Sequence, residues 1–486
     1  MRKLLAFSAL IVFVSACNKA LDVKPVSTIT NSSFWKTADD VTGAINGMYV
    51  DLRSEANLDL FVFGEARSGD MSSALAGSLG YDIYYNNTLN SSNPGPNWYG
   101  LYRLVNDANL ILKYTPGIVF TSANDKNAAL AQAFTMRAYA YFVMAKTWGG
   151  VPLRLDPTEA YDPKTIQKAR TPVADIFSQV KSDLRRALEC FPDNSYPAGR
   201  NRWSRPAANA LKASVYLWTA KLMNGGSVDL DTALVAVDSV TTSDLALLDD
   251  YHSIFDYNNK GNKEVIMAVH YQSLESSDNY YLNMFFHSSN ITPDLTPGER
   301  DTIGPVGSNS NSVWQVAKYV RDQFSPDDQR RFGTFYEVYT KEGDFYASIA
   351  TKGFGDVQNG VRYFTDDVML YRYGGVLLMK AEIENALGKD PSAEINMVRK
   401  RAYGTHFPSH VFVPGTPDKN DEAILKERLL ELTTEGQRWW DLLRFGKAYD
   451  LVPSLAGKEN QKYLLLFPIG QDVISREPLV TENQGW

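Results

Sequence analysis

Apolar residues recur at intervals of three and four along much of the chain, and glycine and proline punctuate the repeats. Leu130, Phe134, Ala138, Tyr141, Phe142, Ala145 and Trp148 line one face of a helix that Gly149-Gly150 stops. Thr171 and Pro172 open a second, whose Val173, Ile176, Phe177, Val180, Leu184 and Leu188 keep the same period up to Pro192. Ser204 with Pro206 opens a third, with Leu211, Val215, Trp218 and Leu222 facing inward and Gly225-Gly226 closing it. Shorter candidates lie at Asp39 to Leu52, Asn97 to Tyr114 and Leu230 to Thr241.

A second block repeats the style. Thr365 begins a helix with Leu370, Tyr373, Leu377 and Ala381 on one face, ended by Gly388, and Asp390-Pro391 caps the next, which runs to Gly404. Asp421 to Glu435 reads as a charged amphipathic helix and Arg438 to Phe445 as a short apolar one. Helix pairs that cannot each bury an apolar face alone predict a mainly α fold, a tetratricopeptide-like helical-repeat scaffold, although no strict period of about 34 residues is present. From about 243 to 364, and again at 64–96, the helical period disappears and Gly, Asn, Ser and Tyr accumulate. Long aromatic-containing irregular insertions in a helical protein predict a ligand face built from loops.

The N-terminus changes the picture. Met1-Arg2-Lys3 is basic, Leu4 to Val14 is mostly apolar, and Ser15-Ala16-Cys17 follows. Eleven residues are too few for a permanent membrane span, which takes about 18 or more. Basic, apolar and small residues in that order fit a signal peptide of residues 1–16, and Cys17 resembles a lipobox cysteine that is acylated after cleavage. An ordinary signal that happens to end in cysteine is the alternative. Residues 17–33 are polar with Pro25, as an extended leader would be, and 34–486 are expected to form a single body.

The 486 residues carry 49 Lys+Arg against 56 Asp+Glu, a formal charge of −7 that becomes −9 once Arg2 and Lys3 are removed. A mildly acidic chain offers no general attraction to nucleic acid. Only one cysteine, Cys190, remains beside Cys17, at the apolar side of a helix end, where an inert core thiol is expected.

Enzyme signatures are sparse. Gly388-Lys389, Gly446-Lys447 and Gly457-Lys458 lack the upstream glycine of a phosphate-binding loop, and neither a G-x-S-x-G elbow nor an H-E-x-x-H helix occurs. His406 and His410 have the spacing of a metal pair, but Pro408 between them forbids the aligning helix, so both are expected in a surface loop. No metal or cofactor is expected. A glycosidase needs only two carboxylates, so sequence leaves that class open.

Four separated stretches, in order, resemble the SusD/RagB family of lipid-anchored nutrient-binding proteins. The first is Leu21 to Pro25 with Phe34-Trp35-Lys36-Thr37 and Asn46-Gly47-Met48-Tyr49; the second runs from Arg137-Ala138-Tyr139-Ala140-Tyr141-Phe142 to Trp148-Gly149-Gly150-Val151-Pro152-Leu153. The third is Ala381-Glu382, Ile395-Asn396, Val398-Arg399 and Arg401-Ala402. The fourth is Glu427-Arg428, Glu431-Leu432 and Glu435 to Gly446, closed by Phe467-Pro468-Ile469 and Asn483 to Trp486. Most of these residues read as structural: Tyr139, Tyr141, Phe142 and Trp148 as core, and Glu435, Arg438, Asp441 and Arg444, three apart, as ion pairs that lock the last helix onto its neighbours.

The resemblance implies a non-catalytic lipoprotein of the outer membrane that captures an oligosaccharide and delivers it to a partner SusC-like TonB-dependent transporter. A surface glycoside hydrolase and a protein-binding adaptor of the transporter complex are the rivals. A sugar presents a C–H face that packs on Trp or Tyr and a rim of hydroxyls suited to Asn, Asp and Arg. The irregular segments supply that mixture in Arg67, Asp70, Tyr81, Tyr84, Tyr85, Asn86 and Asn87 with Trp98 and Tyr99, and in Asp278, Tyr280, Tyr281 and Asn283 with Trp314. The ligand-binding set expected is Arg67, Asp70, Tyr81, Asn86, Trp98, Tyr281 and Trp314. Each has a structural alternative: Trp98 as a core aromatic at a helix start, the tyrosines as edge packing, Arg67 with Asp70 as an ion pair.

Overall fold

The computed structural model describes residues 34–486 apart from Ser78, Tyr161, Ser243, Ser277 and Ser308. The signal, Cys17 and the leader lie outside the described residues. The first helical block holds α1 (Ala38–Ala56), α2 (Tyr99–Tyr114), α3 (Ala123–Trp148), α4 (Val173–Cys190), α5 (Arg205–Leu222) and α6 (Gly226–Asp238). The second holds α7 (Tyr373–Ala386), α8 (Ser392–Tyr403), α9 (Pro417–Leu432) and α10 (Arg438–Arg444). Each helix from α1 to α6 packs on the next in sequence, and α7 packs on α6, α8 and α9, so the repeat stack runs through both blocks. The fold is mainly α and of tetratricopeptide type, as the periodicity predicts.

Local chemistry sets the helix ends. Thr37 and Asp40 form a reciprocal capping box on α1, Ser204 accepts from the Ala207 amide to start α5, and Thr416 followed by Pro417 starts α9. Gly149 ends α3 at a φ of 78°, a backbone that a side chain would strain. Along α3 every residue from Ala133 to Trp148 is buried, because α2 and α4 cover opposite sides of it. Arg137 crosses to α4 and grips Asp183 with two hydrogen bonds of 2.8 and 2.7 Å, both groups buried.

The segments without helical period contain strands as well as loops, among them β1 (Met71–Ser73), β2 (Val265–Val269), β3 (Trp314–Val316), β4 (Phe335–Tyr339), β5 (Phe345–Ala350), β6 (Asp356–Gln358), β7 (Val361–Tyr363) and β8 (Val368–Arg372). They form separate antiparallel pairs, β1 with β3, β2 with β8, β4 with β5 and β6 with β7. The helix expected from Thr365 is therefore corrected: Val368–Arg372 is a strand on Val265–Val269, and the helix starts only at Tyr373. A short apolar run suits either structure, and here a strand partner a hundred residues upstream decides it. The helix expected to end at Glu435 stops at Leu432, where Thr433 and Thr434 turn the chain, Thr434 at a φ of 70°.

The expected ion-pair lock is present, with one change of geometry. Asp441 pairs with Arg428 of α9 at 2.8 Å, and Arg444 grips Glu382 of α7 at 2.7 and 2.6 Å. Arg438 donates to the Leu425 carbonyl at 2.9 Å. Glu435 precedes α10 instead of sharing its face, and pairs with Arg372 and Lys352.

Candidate functional site

Most of the residues expected to touch ligand are interior. Arg67 is 0% exposed; its guanidinium donates to Asn87 Oδ1 at 2.8 Å, to the Leu466 carbonyl at 3.0 Å and to the Leu464 carbonyl, and lies over the rings of Trp439 and Phe467. Asp70 is buried too, accepting from Tyr319 Oη at 2.6 Å. The two do not pair; Asp70 faces Arg438 at 3.8 Å. Trp98 packs edge-on against Trp148 at 5.6 Å, and Tyr281 donates to the Thr434 carbonyl at 3.3 Å. Trp314 is 0% exposed, wedged between Phe61 and Tyr81 at centroid distances of 5.2 and 4.7 Å. These five are corrected to scaffold: at 3% exposure or less, their side chains offer almost no surface to a sugar. Tyr81 is half-buried on Trp314, and Asn86 is exposed at the end of a short helix. Those two alone of the set reach solvent.

The described surface does carry an open cleft of about 510 Å³, built from residues 326–339 of the insertion, beyond Tyr281 and Trp314 in chain order, together with His406 of the second helical block. Phe332, Tyr336 and Tyr339 supply rings, and Asp327, Gln329, Arg331, Glu337 and His406 supply polar groups. That volume falls within the roughly 300–1,000 Å³ usual for small-ligand sites.

Its walls are fixed from below. β4 buries Phe335 and Val338, while Tyr336 is partly exposed and Tyr339, past an irregularity in the pairing with β5 that falls between Val338 and Tyr339, is exposed. The β4–β5 turn closes at Gly343, φ 88°, and its tip is tied by the Lys341 amide to the Asp294 carbonyl at 2.9 Å. Glu299 accepts from Tyr336 Oη at 2.8 Å, which fixes the ring edge-on to Phe332 at 5.8 Å. Phe332 is 53% and Tyr339 38% exposed. Beneath them, buried Arg330 clasps Asp328 at 2.9 and 2.7 Å and reaches Glu427 at 2.7 Å, pinning the floor to α9.

The carboxylates of the cleft are poised to accept hydrogen bonds. Hydrogen bonds from Ser325 and His410 hold the Asp327 carboxyl down at about 2. Glu337 is bracketed by Arg331 and by Arg321 at 3.3 Å. Exposed ring faces beside carboxylates, an amide and a guanidinium suit hydroxyl-rich ligands.

The cleft's aromatics lie on and beside a strand, not in the loop segments whose composition points to a ligand face. Phe335-Tyr336-Glu337-Val338-Tyr339, a turn with Gly343, then Phe345-Tyr346-Ala347 is a hairpin signature, but strict alternation puts Tyr336 and Tyr339 on opposite faces, and the irregular register that brings both to the cleft is not written in it. The histidines behave as expected of loop residues: His406 is exposed, while His410 bonds Asp327 at 2.8 Å and stacks on Tyr403. Cys190 is half-buried against the core, and burial pushes its thiol up.

Comparison with known proteins adds a family assignment. The sequence pattern described as "Starch-binding associating with outer membrane" matches residues 19–217, and that described as "SusD family" matches 349–486. The SusD-like protein P38 of Formosa agariphila is 27% identical over 505 residues, covering 97% of this chain and 96% of that one. Among solved structures, NanU of B. fragilis superposes with a TM-score of 0.81 at 30% identity, covering 95% of this chain and 99% of its own. A SusD superfamily protein of Bacteroides fragilis NCTC 9343 superposes with a TM-score of 0.83 at 29% identity, over 93% of this chain and all of that one.

Proposed function

The chain belongs to the SusD/RagB family, and from that premise we propose that it is a surface glycan-binding lipoprotein of the outer membrane. Cys17, acylated after removal of residues 1–16, anchors it, and the body hands captured oligosaccharide to a SusC-like TonB-dependent transporter. The observation that carries the binding reading is the cleft: Phe332 and Tyr339 expose ring faces on either side of Tyr336, within reach of Asp327, Gln329 and Arg331. Stacking holds the apolar face of a sugar, and the polar groups bond its rim. Tyr81 and Asn86, on the loop over Trp314, are the second candidate contact surface.

The matched family description, starch binding in association with an outer membrane, supports both ligand class and location. Release of sugar then follows from differential affinity, with no bond broken. The test uses purified full-length protein in detergent on a panel of oligosaccharides, with reducing ends assayed in parallel. Saturable binding without new reducing ends supports capture. Product formation that depends on one Asp or Glu would instead make the protein a hydrolase. Copurification of a TonB-dependent channel checks the partner, and binding of that channel with no glycan signal would favour the adaptor reading.

A further inference from the structure

A second cavity, of about 100 Å³, lies inside the helical stack between α3, α5, β8 and α10, away from the aromatic cleft. Its walls include Phe142, Trp218, Tyr371 and Trp440, and one primary amine, Lys146. Lys146 is only 8% exposed. Its Nζ sits 4.2 Å from the Phe142 ring centroid, 4.3 Å from that of Trp440 and 5.7 Å from that of Trp218. All three rings line the cavity, so the ammonium sits at its wall. Among the described residues no carbonyl, hydroxyl or carboxylate accepts a hydrogen bond from it, although a buried amine ordinarily finds one.

The surrounding charge makes that vacancy more costly. Arg444 and Lys221 share Glu382, at 2.6 and 3.1 Å, while Arg444 and Arg428 share Asp441, both at 2.8 Å. Lys221 has a further, partly exposed neighbour in Asp421 at 3.6 Å. Four cations, counting Lys146, thus face two fully buried carboxylates. On the opposite wall Glu435, Glu431 and Glu264 are taken up by Arg372 together with Lys352, Arg401 and Arg330, so none of the three is left over to neutralise Lys146. Burial, with the Arg444 charge adding to it and Asp441 opposing it, brings the Lys146 amine down to about 7.

We propose that this cavity is a binding site for a halide ion, held by the Lys146 ammonium among the rings of Phe142, Trp218 and Trp440. A polyatomic oxyanion needs several free donors directed at its oxygens; the guanidiniums on these walls, of Arg372, Arg428 and Arg444, are each turned to a carboxylate, which leaves the Lys146 ammonium among the rings. A monatomic anion needs no such array and offsets the excess positive charge where it lies.

Crystals of the full-length protein soaked in sodium bromide at pH 6 test the site, with melting of the protein in solution as a second measure. An anomalous peak beside Lys146 Nζ is expected. In solution, bromide at a hundred times its Kd raises the Tm by about 2 °C over sodium gluconate of equal ionic strength. Lys146→Met, which keeps the aliphatic stem, loses that rise. Ordinary density without anomalous signal would mean that water fills the cavity, and would overturn the proposal. So would equal Tm values in the two salts, or a bromide-dependent rise that survives in Lys146→Met. Should Lys146→Met fail to fold, the wild-type diffraction experiment still decides.

Discussion

Arg372 at the end of β8 and Glu435 just before α10 meet as a two-point pair, Nε to Oε2 and Nη2 to Oε1, both at 2.8 Å. Neither side chain reaches solvent appreciably, and the same cluster takes in Glu264, Glu431 and Lys352. The pair joins the strand that follows the insertion to the turn between α9 and α10. Removing one partner leaves an uncompensated buried charge, so Glu435→Leu is expected to cost about 3–5 kcal/mol. Guanidinium unfolding followed by circular dichroism measures it. Arg372→Met combined with Glu435→Leu should cost less than the two single changes added together.

Acid should unfold the protein partly through Glu382. Burial opposes its ionisation, but the charges of Arg444 and Lys221 outweigh that, and the carboxyl is held at about 2 against an ordinary 4.5. The folded value is the lower one, so the stabilisation is present in full above 4.5 and disappears as the pH falls toward 2. Its size is about 3 kcal/mol. Denaturation midpoints between pH 6 and 2 should fall with a slope that Glu382→Gln makes shallower, and an unchanged slope in that variant would contradict the pairing.

Trp98 and Trp314 separate stability from binding. Both are buried to 1% or less, so Trp98→Ala and Trp314→Ala should each cost about 3–5 kcal/mol of folding stability. Measured below their lowered unfolding temperatures, both variants should bind glycan as the wild type does. Lost affinity in a folded Trp314→Ala protein would return the ligand to the loops over Tyr81.

Periodicity located the scaffold well because helix faces are written locally: the α3 stripe from Leu130 to Trp148, its Gly149-Gly150 stop and the Ser204 cap all depend on neighbours a few residues away. What failed depended on distant partners. Val368–Arg372 is a strand because Val265–Val269 lies beside it. Trp314 is interior because Phe61 and Tyr81, more than 200 residues earlier, close over it. An Arg, an Asp and aromatics in a loop-like stretch have the same composition whether they face sugar or core, so residue type alone could not tell a ligand surface from the layer beneath it. The β4–β5 hairpin is legible locally, but the approach of both Tyr336 and Tyr339 to the cleft depends on its irregular register, which strict alternation does not foresee.

The pair Phe332 and Tyr339 offers the most direct test of glycan capture at the cleft. Both rings are exposed and support no buried core, so Phe332→Ala and Tyr339→Ala should leave the unfolding midpoint nearly unchanged. Calorimetric titration with an oligosaccharide that binds the wild-type protein is the measurement. Each substitution is expected to weaken the affinity about tenfold, the loss of roughly 1.4 kcal/mol of stacking. Wild-type affinity in both Phe332→Ala and Tyr339→Ala would contradict the cleft as the site of capture.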